Sequence, residues 1–291
     1  MTANIRFKAP EDGHLTPEMK AAWAQNGVLL LEGFKTEAEC DALTERAQRI
    51  AREADLSEAG VFASDDNAAA RGDYFRDSAS KVKFFLETEA ADEDGNILVD
   101  QAEAVNKIGH AMHDLDPVFR DFSHSTRLAN LAQDVGLKDA HVMQSMFIFK
   151  PPRIGGEVSW HQDGTYLYTE PQSVVGFWFA LDDASVENGC LYAIPGGHKG
   201  NLRDRFVETG QGYDTNSVDE TPFDLSASIP LEARKGDMVI LHGRLPHASE
   251  YNRSDRSRHA YTLHAVDGSC DYLADNWLQR DTSFPPKGFS E

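Results

Sequence analysis

The residues with the clearest chemical potential are His161 and Asp163, separated by Gln162. In extended chain, side chains two positions apart project to the same side, so this imidazole and this carboxylate can reach one ion. A third ligand must come from elsewhere. His247 is the best-placed candidate, in the run Leu241-His242-Gly243-Arg244-Leu245-Pro246-His247 just beyond an apolar strand. Two histidines and one carboxylate on one face of an ion leave its other positions open. That set suits Fe(II), which must also take a chelating cosubstrate and oxygen. The His-x-Asp pair alone is a weak signal, because 11 histidines make such a spacing easy to meet by chance. His110 and His113, three apart on an expected helix, are read as structural.

The neighbourhood strengthens the pair. Ser249 lies two residues after His247, and Arg258 eleven after it. If His247 ends one strand and Arg258 begins the next, the connection brings Arg258 back to the same barrel. A buried guanidinium there would grip a carboxylate in two hydrogen bonds, and the serine hydroxyl would add a third. The distal carboxylate of 2-oxoglutarate needs such a socket while its keto-acid end chelates iron. Arg253 and Arg256 stand in the same segment, so the residues alone leave the choice among the three arginines open.

Such side chains need strands to hold them. Val142 to Phe149, Val174 to Leu181, Cys190 to Ile194, Asp237 to Leu241 and His259 to Val266 read as strands, bounded by Gly, Pro or Asp/Asn clusters. Many short strands without helices between them predict a mainly β fold with flanking helices, a sandwich or jelly roll. Upstream, Thr16-Pro17 starts a helix that Asn26-Gly27 stops. Val28 to Leu31 is a short buried strand. Thr36 to Glu39 is a capping box, and the helix it opens repeats Leu43, Ala47, Ile50, Ala51 and Ala54 on one face. A further helix is expected from Pro117 to Val135. The polar stretch 201–228 is expected to be a long loop, a candidate lid. No linker or repeat interrupts the chain, which predicts a single domain over 1–291. Its helix-rich part, about 1–140, would pack on a jelly-roll core of about 141–280.

Bulk properties narrow the class. Hydrophobic residues make up 41% of the 291, enough for a substantial core. Cys40, Cys190 and Cys270 are too far apart for a disulfide framework or a zinc ribbon, so a reducing cytoplasm is the expected setting. No stretch approaches the roughly 18 apolar residues of a membrane helix. The formal net charge of −20 would repel nucleic acid and anionic membranes. A small-molecule partner and a monomer are therefore expected.

Taken together, the residues resemble the phytanoyl-CoA dioxygenase family of Fe(II)/2-oxoglutarate oxygenases. The matching pieces are Gly156 to Asp163, Glu187 to Leu191, Pro195-Gly196-Gly197-His198, Lys235-Gly236-Asp237, Leu245 to Ser249 and Arg256-Ser257-Arg258. Asn106 to Ala111, Gln144-Ser145-Met146, Asp116 to Phe119 and Leu167 to Pro171 are similar to the domain-containing protein 1 group within it. The likeness runs from about Leu15 to Leu278. It implies a cupin-like double-stranded β-helix with iron ligands His161, Asp163 and His247. It implies that Arg258 and Ser249 hold the cosubstrate's distal carboxylate, and that Lys107, Met146 and Trp178 line the 2-oxoglutarate site. The residues by themselves would make Met146 and Trp178 core and Lys107 surface. The implied reaction consumes 2-oxoglutarate and oxygen, releases succinate and CO2, and hydroxylates an unactivated C–H bond of a small molecule or acyl thioester. Related halogenases lack the carboxylate ligand, so Asp163 points to hydroxylation. Pro195-Gly196-Gly197-His198 departs from the family's more frequent Pro-Gly-Ser-His at a turn, away from the metal ligands. Two alternatives use the same ligands: a zinc-dependent hydrolase, and a metal- and 2-oxoglutarate-binding protein without turnover. Lys199, Arg203 and Arg205 could cradle the phosphates of a CoA ester, although a solvated loop is the simpler reading.

Overall fold

A computed structural model describes residues 4–57, 59–61, 72–92, 96–280 and 282–290. Its strands are β1 (Arg6–Lys8), β2 (Val28–Glu32), β3 (Gly60–Val61), β4 (Val82–Leu86), β5 (Val105–His110), β6 (Ala140–Ile148), β7 (Val158–His161), β8 (Thr169–Glu170) and β9 (Val175–Ala180). They continue with β10 (Leu191–Ala193), β11 (Asp204–Glu208), β12 (Tyr213–Ser217), β13 (Ile229–Leu231), β14 (Met238–His242), β15 (His247–Ser249), β16 (Ala260–Asp267) and β17 (Asp271–Tyr272). The helices are α1 (Pro17–Asn26), α2 (Glu37–Glu53), α3 (Asp73–Asp77), α4 (Gln101–Ala104), α5 (Met112–Leu115), α6 (Pro117–Ser123) and α7 (Thr126–Asp134).

One large sheet has the order β1-β2-β14-β9-β16-β6-β5-β4-β3, and a smaller one the order β13-β10-β15-β7. In the large sheet β1–β2 and β3–β4 run parallel and the other neighbours antiparallel. The two sheets face each other as a double-stranded β-helix, and alternation along the strands explains how. Val28 and Leu30 of β2, Trp178 and Ala180 of β9, and Val239 and Leu241 of β14 share a core with Leu191, Ala193 and Leu231 of the small sheet. The intervening Leu29, Leu31, Phe177, Phe179 and Ile240 pack on the other face with α1, α2, α6 and α7. Strands buried on both faces read as unbroken apolar runs, as Val28 to Leu31 does. Each large side chain buried this way contributes about 1.5–3 kcal/mol.

Local signals set the helix ends. Thr16 caps α1 by accepting from the Met19 amide, and Gly27 ends it at φ 68°, donating to the Trp23 carbonyl. Thr36 and Glu39 form a reciprocal capping box on α2, which buries Cys40, Leu43, Ala47 and Ala51.

Three expectations need correction. The helix from Pro117 to Val135 is two helices, because Ser125 is extended (φ −166°, ψ 151°) and caps α7 by accepting from the Leu128 amide. The stretch 201–228 is not plain loop. It holds the β11–β12 hairpin, whose Phe206 and Tyr213 rings stack 5.3 Å apart and pack against Phe75. The part read as helix-rich holds α1 to α7 and also supplies β1 to β5, five of the nine strands of the large sheet. His110 accordingly ends a strand, and only His113 lies on a short helix. Among the described residues no helix is long and apolar enough to cross a membrane.

Candidate metal centre

In the small sheet β7 and β15 are antiparallel, and His161 lies directly opposite His247. Their ring centroids are 4.2 Å apart. After His161 the chain turns into a short 3₁₀ segment that begins with Asp163. The intervening Gln162 points the other way: its Nε2 donates to the Arg244 carbonyl at 2.7 Å, and its Oε1 accepts from the Arg203 amide at 2.9 Å. That anchor leaves His161 and Asp163 facing one side.

The histidines are oriented by their own strands. His161 Nδ1 lies 2.7 Å from the Ser159 carbonyl, and His247 Nδ1 lies 3.0 Å from the Leu245 carbonyl. A carbonyl only accepts, so both Nδ1 atoms carry a proton and both Nε2 atoms are turned toward Asp163. These Nε2 atoms lie 3.8 and 3.6 Å from Asp163 Oδ1, and all three ligand atoms fall within 4.8 Å of one another. Burial, then the neighbouring His247, pushes the His161 pKa down to about 4, so its imidazole is neutral and ready to ligate at physiological pH. Burial by itself would raise Asp163. The adjacent His264 and His247 instead hold it below the ordinary carboxylate range.

His264 of β16 approaches Asp163 Oδ1 at 3.3 Å through Nε2. Its Nδ1 lies 3.1 Å from Gln144 Nε2. With the amide nitrogen as donor, Nδ1 accepts and the Nε2–H donates to the aspartate. Gly176 of β9 makes room for this arrangement. A Cβ built there would stand 2.7 Å from Asp163 Oδ2 and 3.4 Å from the His264 ring.

The cluster opens on a cavity of about 450 Å³ between the two sheets. Arg258, 1% exposed, lines it, with Nε donating to the Gly189 carbonyl at 3.1 Å and its guanidinium 5.4 Å from the Trp178 ring. Burial lowers its pKa to about 10, which leaves it cationic at neutral pH. Ser249, Lys107, Met146 and Trp178 line the same cavity. Met146, Thr262 and Trp178 are register partners across β6, β16 and β9, and the Lys107 ammonium lies 5.2 Å from the Phe85 ring. Every residue singled out from the sequence as metal- or cosubstrate-binding thus faces one space. Arg253 and Arg256 are exposed, which separates them from Arg258.

Among the described residues, six buried atoms of the side chains lining this cavity have no hydrogen-bond partner: Asp163 Oδ2, Arg258 Nη1, Trp178 Nε1, Gln144 Oε1, Thr262 Oγ1 and Arg203 Nε. Buried polar atoms are nearly always paired, so such a cluster marks the seat of a polar ligand. The donor set fits a divalent ion at one end and a carboxylate at the other. Phe75, Tyr166, Phe223 and Trp277 also line the cavity, with Phe75 and Trp277 stacked 4.3 Å apart.

Of the two histidines read as structural, His113 is buried against Ser145 and Asp114, outside the cavity, whereas His110 lines it and bonds Ser78 at 2.8 Å. The basic trio of 199–205 does not converge. Lys199 binds Gln25, Arg203 pairs with Asp219 and Arg205 pairs with Asp275. Four residues escaped the sequence reading: Gln144, His264, Gly176 and Lys150. Gly176 had a signal, since a glycine inside an apolar strand marks a close approach. Lys150 had one too, as a lysine ending an apolar strand.

The family model described as phytanoyl-CoA dioxygenase matches residues 23–260. The phytanoyl-CoA dioxygenase domain-containing protein 1 of Bos taurus is 42% identical, with 94% of this chain and 98% of that protein covered. A phytanoyl-CoA dioxygenase of Arabidopsis thaliana is 39% identical over 92% of this chain and 95% of its own length. The fold is similar to the crystal structure of EctD from S. alaskensis with 2-oxoglutarate and 5-hydroxyectoine (TM-score 0.65, 19% identity, 99% and 91% covered). It is also similar to the epimerase SnoN in complex with Fe3+, alpha ketoglutarate and nogalamycin RO (TM-score 0.63, 15% identity, 92% and 97% covered).

Proposed function

The chain belongs to the phytanoyl-CoA dioxygenase family, and on that premise we propose that it is a non-haem Fe(II)/2-oxoglutarate-dependent oxygenase that hydroxylates a C–H bond of a small molecule. The observation that carries the reading is one cavity with two polar ends. At one end two imidazole Nε2 atoms and a carboxylate oxygen converge within 4.8 Å of one another. At the other lies a buried guanidinium with a partnerless nitrogen.

His161, Asp163 and His247 would hold the iron, and Arg258 with Ser249 would hold the distal carboxylate of 2-oxoglutarate. Bound there, the metal and cosubstrate supply the chemistry that couples oxygen reduction and release of succinate and CO2 to C–H oxidation. The protein's share is placement. Ser159 and Leu245 fix the two imidazoles, His264 fixes Asp163, and Trp178 floors the guanidinium. Lys107 and Met146 would flank the cosubstrate on the β5–β6 side. Aromatic rings at Phe75, Tyr166, Phe223 and Trp277 suit an apolar or ring-bearing substrate. Lys199, Arg203 and Arg205 are paired with Gln25, Asp219 and Asp275 and do not converge on a phosphate-sized site, which favours a small metabolite over an acyl thioester. That the similar EctD and SnoN structures hold 2-oxoglutarate or alpha ketoglutarate supports the cosubstrate.

The test is anaerobic titration of metal-stripped protein with Fe(II) and 2-oxoglutarate, following the weak visible band of an iron-chelated keto acid. The band is expected in the parent protein, Arg258→Gln should need far more 2-oxoglutarate, and alanine at His161, Asp163 or His247 should abolish 2-oxoglutarate-dependent oxygen uptake. Absence of the band together with tight zinc binding would sink the oxygenase reading in favour of a hydrolase.

A further inference from the structure

Lys150 lines the same cavity, yet nothing above gives it a role. It stands between Phe149 and Pro151, just past β6, and is 2% exposed. Its φ of 39° is uncommon for a residue with a side chain. The surroundings hold it there: its carbonyl accepts from Asn252 Nδ2 at 2.9 Å and from the Arg258 amide at 3.2 Å. Its stem runs past two glycines. A Cβ at Gly155 would come within 2.8 Å of Lys150 Cγ, and one at Gly189 within 2.4 Å of Cε. The backbone is thus built to carry this ammonium inward, beside Arg258.

The ammonium donates to the Gly156 carbonyl at 2.7 Å and to Ser249 Oγ at 3.0 Å. An ammonium has three hydrogens and accepts nothing, so one remains for a ligand. Because Ser249 Oγ accepts from Lys150, its own hydroxyl hydrogen is free to donate into the cavity. Basic groups outnumber acidic ones here. Arg258, Lys150 and Lys107 are buried basic residues of the cavity wall, and the buried acidic residue beside Lys150 is Glu87, 2% exposed, with Oε2 on the Gly156 amide at 3.1 Å and its carboxyl raised above its ordinary range by burial. Glu157 and Glu250 also act on Lys150 but are exposed, and Asp182 near Arg258 is committed to His259. An added carboxylate would offset this excess of basic groups. Burial, and then repulsion from Arg258, pushes the Lys150 pKa well down, a strain that a carboxylate would relieve.

We infer that Lys150 is a specificity-determining residue of this cavity: with Arg258 and Ser249 it selects a keto acid that carries a distal carboxylate. The inference rests on the cosubstrate reading above and adds the third donor and the charge balance.

The test compares equilibrium binding of 2-oxoglutarate and of 2-oxopentanoate, which has the same carbon count but no distal carboxylate. Both are titrated anaerobically into the Fe(II)-loaded protein. Lys150→Met should weaken 2-oxoglutarate on the order of 10- to 100-fold, the loss expected of a charge-assisted bond, and leave 2-oxopentanoate within about twofold. Equal weakening of both acids, or of neither, overturns the inference. Should that variant fail to fold, Glu87→Gln keeps an acceptor for Gly156 and removes the buried acidic group beside Lys150. It should tighten 2-oxoglutarate selectively, and an unchanged preference between the acids overturns the proposal. If the parent protein binds neither acid, the cosubstrate reading itself fails. If Arg258→Gln weakens 2-oxoglutarate while both other variants leave the preference intact, only the role of Lys150 fails.

Discussion

At the scale of single residues, the candidate centre depends on one missing methyl group. Gly176 sits between Leu241 and His264 in the sheet, under the Asp163 carboxylate. Space, rather than backbone conformation, requires the glycine. A methyl group 2.7 Å from Asp163 Oδ2 must displace that carboxylate or the imidazole that orients it. Disturbing the partners that orient a ligand typically costs about 10- to 100-fold in metal affinity. Gly176→Ala is therefore expected to weaken Fe(II) binding by that order, measured by competition with a calibrated chelator, while the protein stays folded by circular dichroism. Parent-like affinity in the folded variant would show that Asp163 does not bind the ion from this position.

At the scale of elements, the break between α6 and α7 shows how a polar side chain can outrank apolar periodicity. Ser123 Oγ bonds back to the Phe119 carbonyl and to the Tyr261 hydroxyl, and Ser125 then leaves helical geometry to cap the next helix. The turn lets Phe119 and Phe122 meet Tyr261, and Leu128 and Leu131 join the same core. Removing a serine cap costs about 1 kcal/mol. Ser125→Ala should lower the unfolding free energy by roughly that amount, with an unchanged denaturant m-value. A variant as stable as the parent would mean that packing alone sets the break. The sequence pattern showed both helices but merged them, because Ser123 to Ser125 interrupts the apolar period for only three residues.

At the scale of the whole molecule, the charge of −20 spreads over a compact body and repels itself. Exposed pairs such as Arg76–Asp73 and Lys81–Asp77 offset little of this, since such bridges contribute about 0–1 kcal/mol. Salt screens the repulsion, the Debye length shrinking from about 10 Å at 0.1 M toward about 3 Å at 1 M. The melting temperature is therefore expected to rise by several degrees between about 0.05 and 0.5 M KCl. A fall over that range would show that the ion pairs outweigh the net charge. The same balance bears on ligands, because a strongly acidic surface encloses a cavity whose inner wall carries Arg258, Lys107 and Lys150.

The sequence by itself determined what depends on near neighbours. The capping box of α2, the glycine stop of α1 and the two-residue spacing of His161 and Asp163 are local, and each has the expected geometry. The strands β6, β9, β10, β14 and β16 were legible because their burial leaves continuous apolar runs. What only the tertiary structure decided is long-range. The pairing of β7 with β15 sets His247 opposite His161, and the register of β16 with β6 sets His264, which reaches Asp163, beside Gln144, 120 residues away in sequence. Burial separates Arg258 from Arg253 and Arg256, which composition could not do. The strands β4 and β5 were missed because their apolar character is moderate and their place at the side of the large sheet comes from pairing with β6. Hydrogen bonds between strands distant in sequence leave no periodic trace in either partner, so the cavity and the inward lysine at its wall emerge only when the chain is folded.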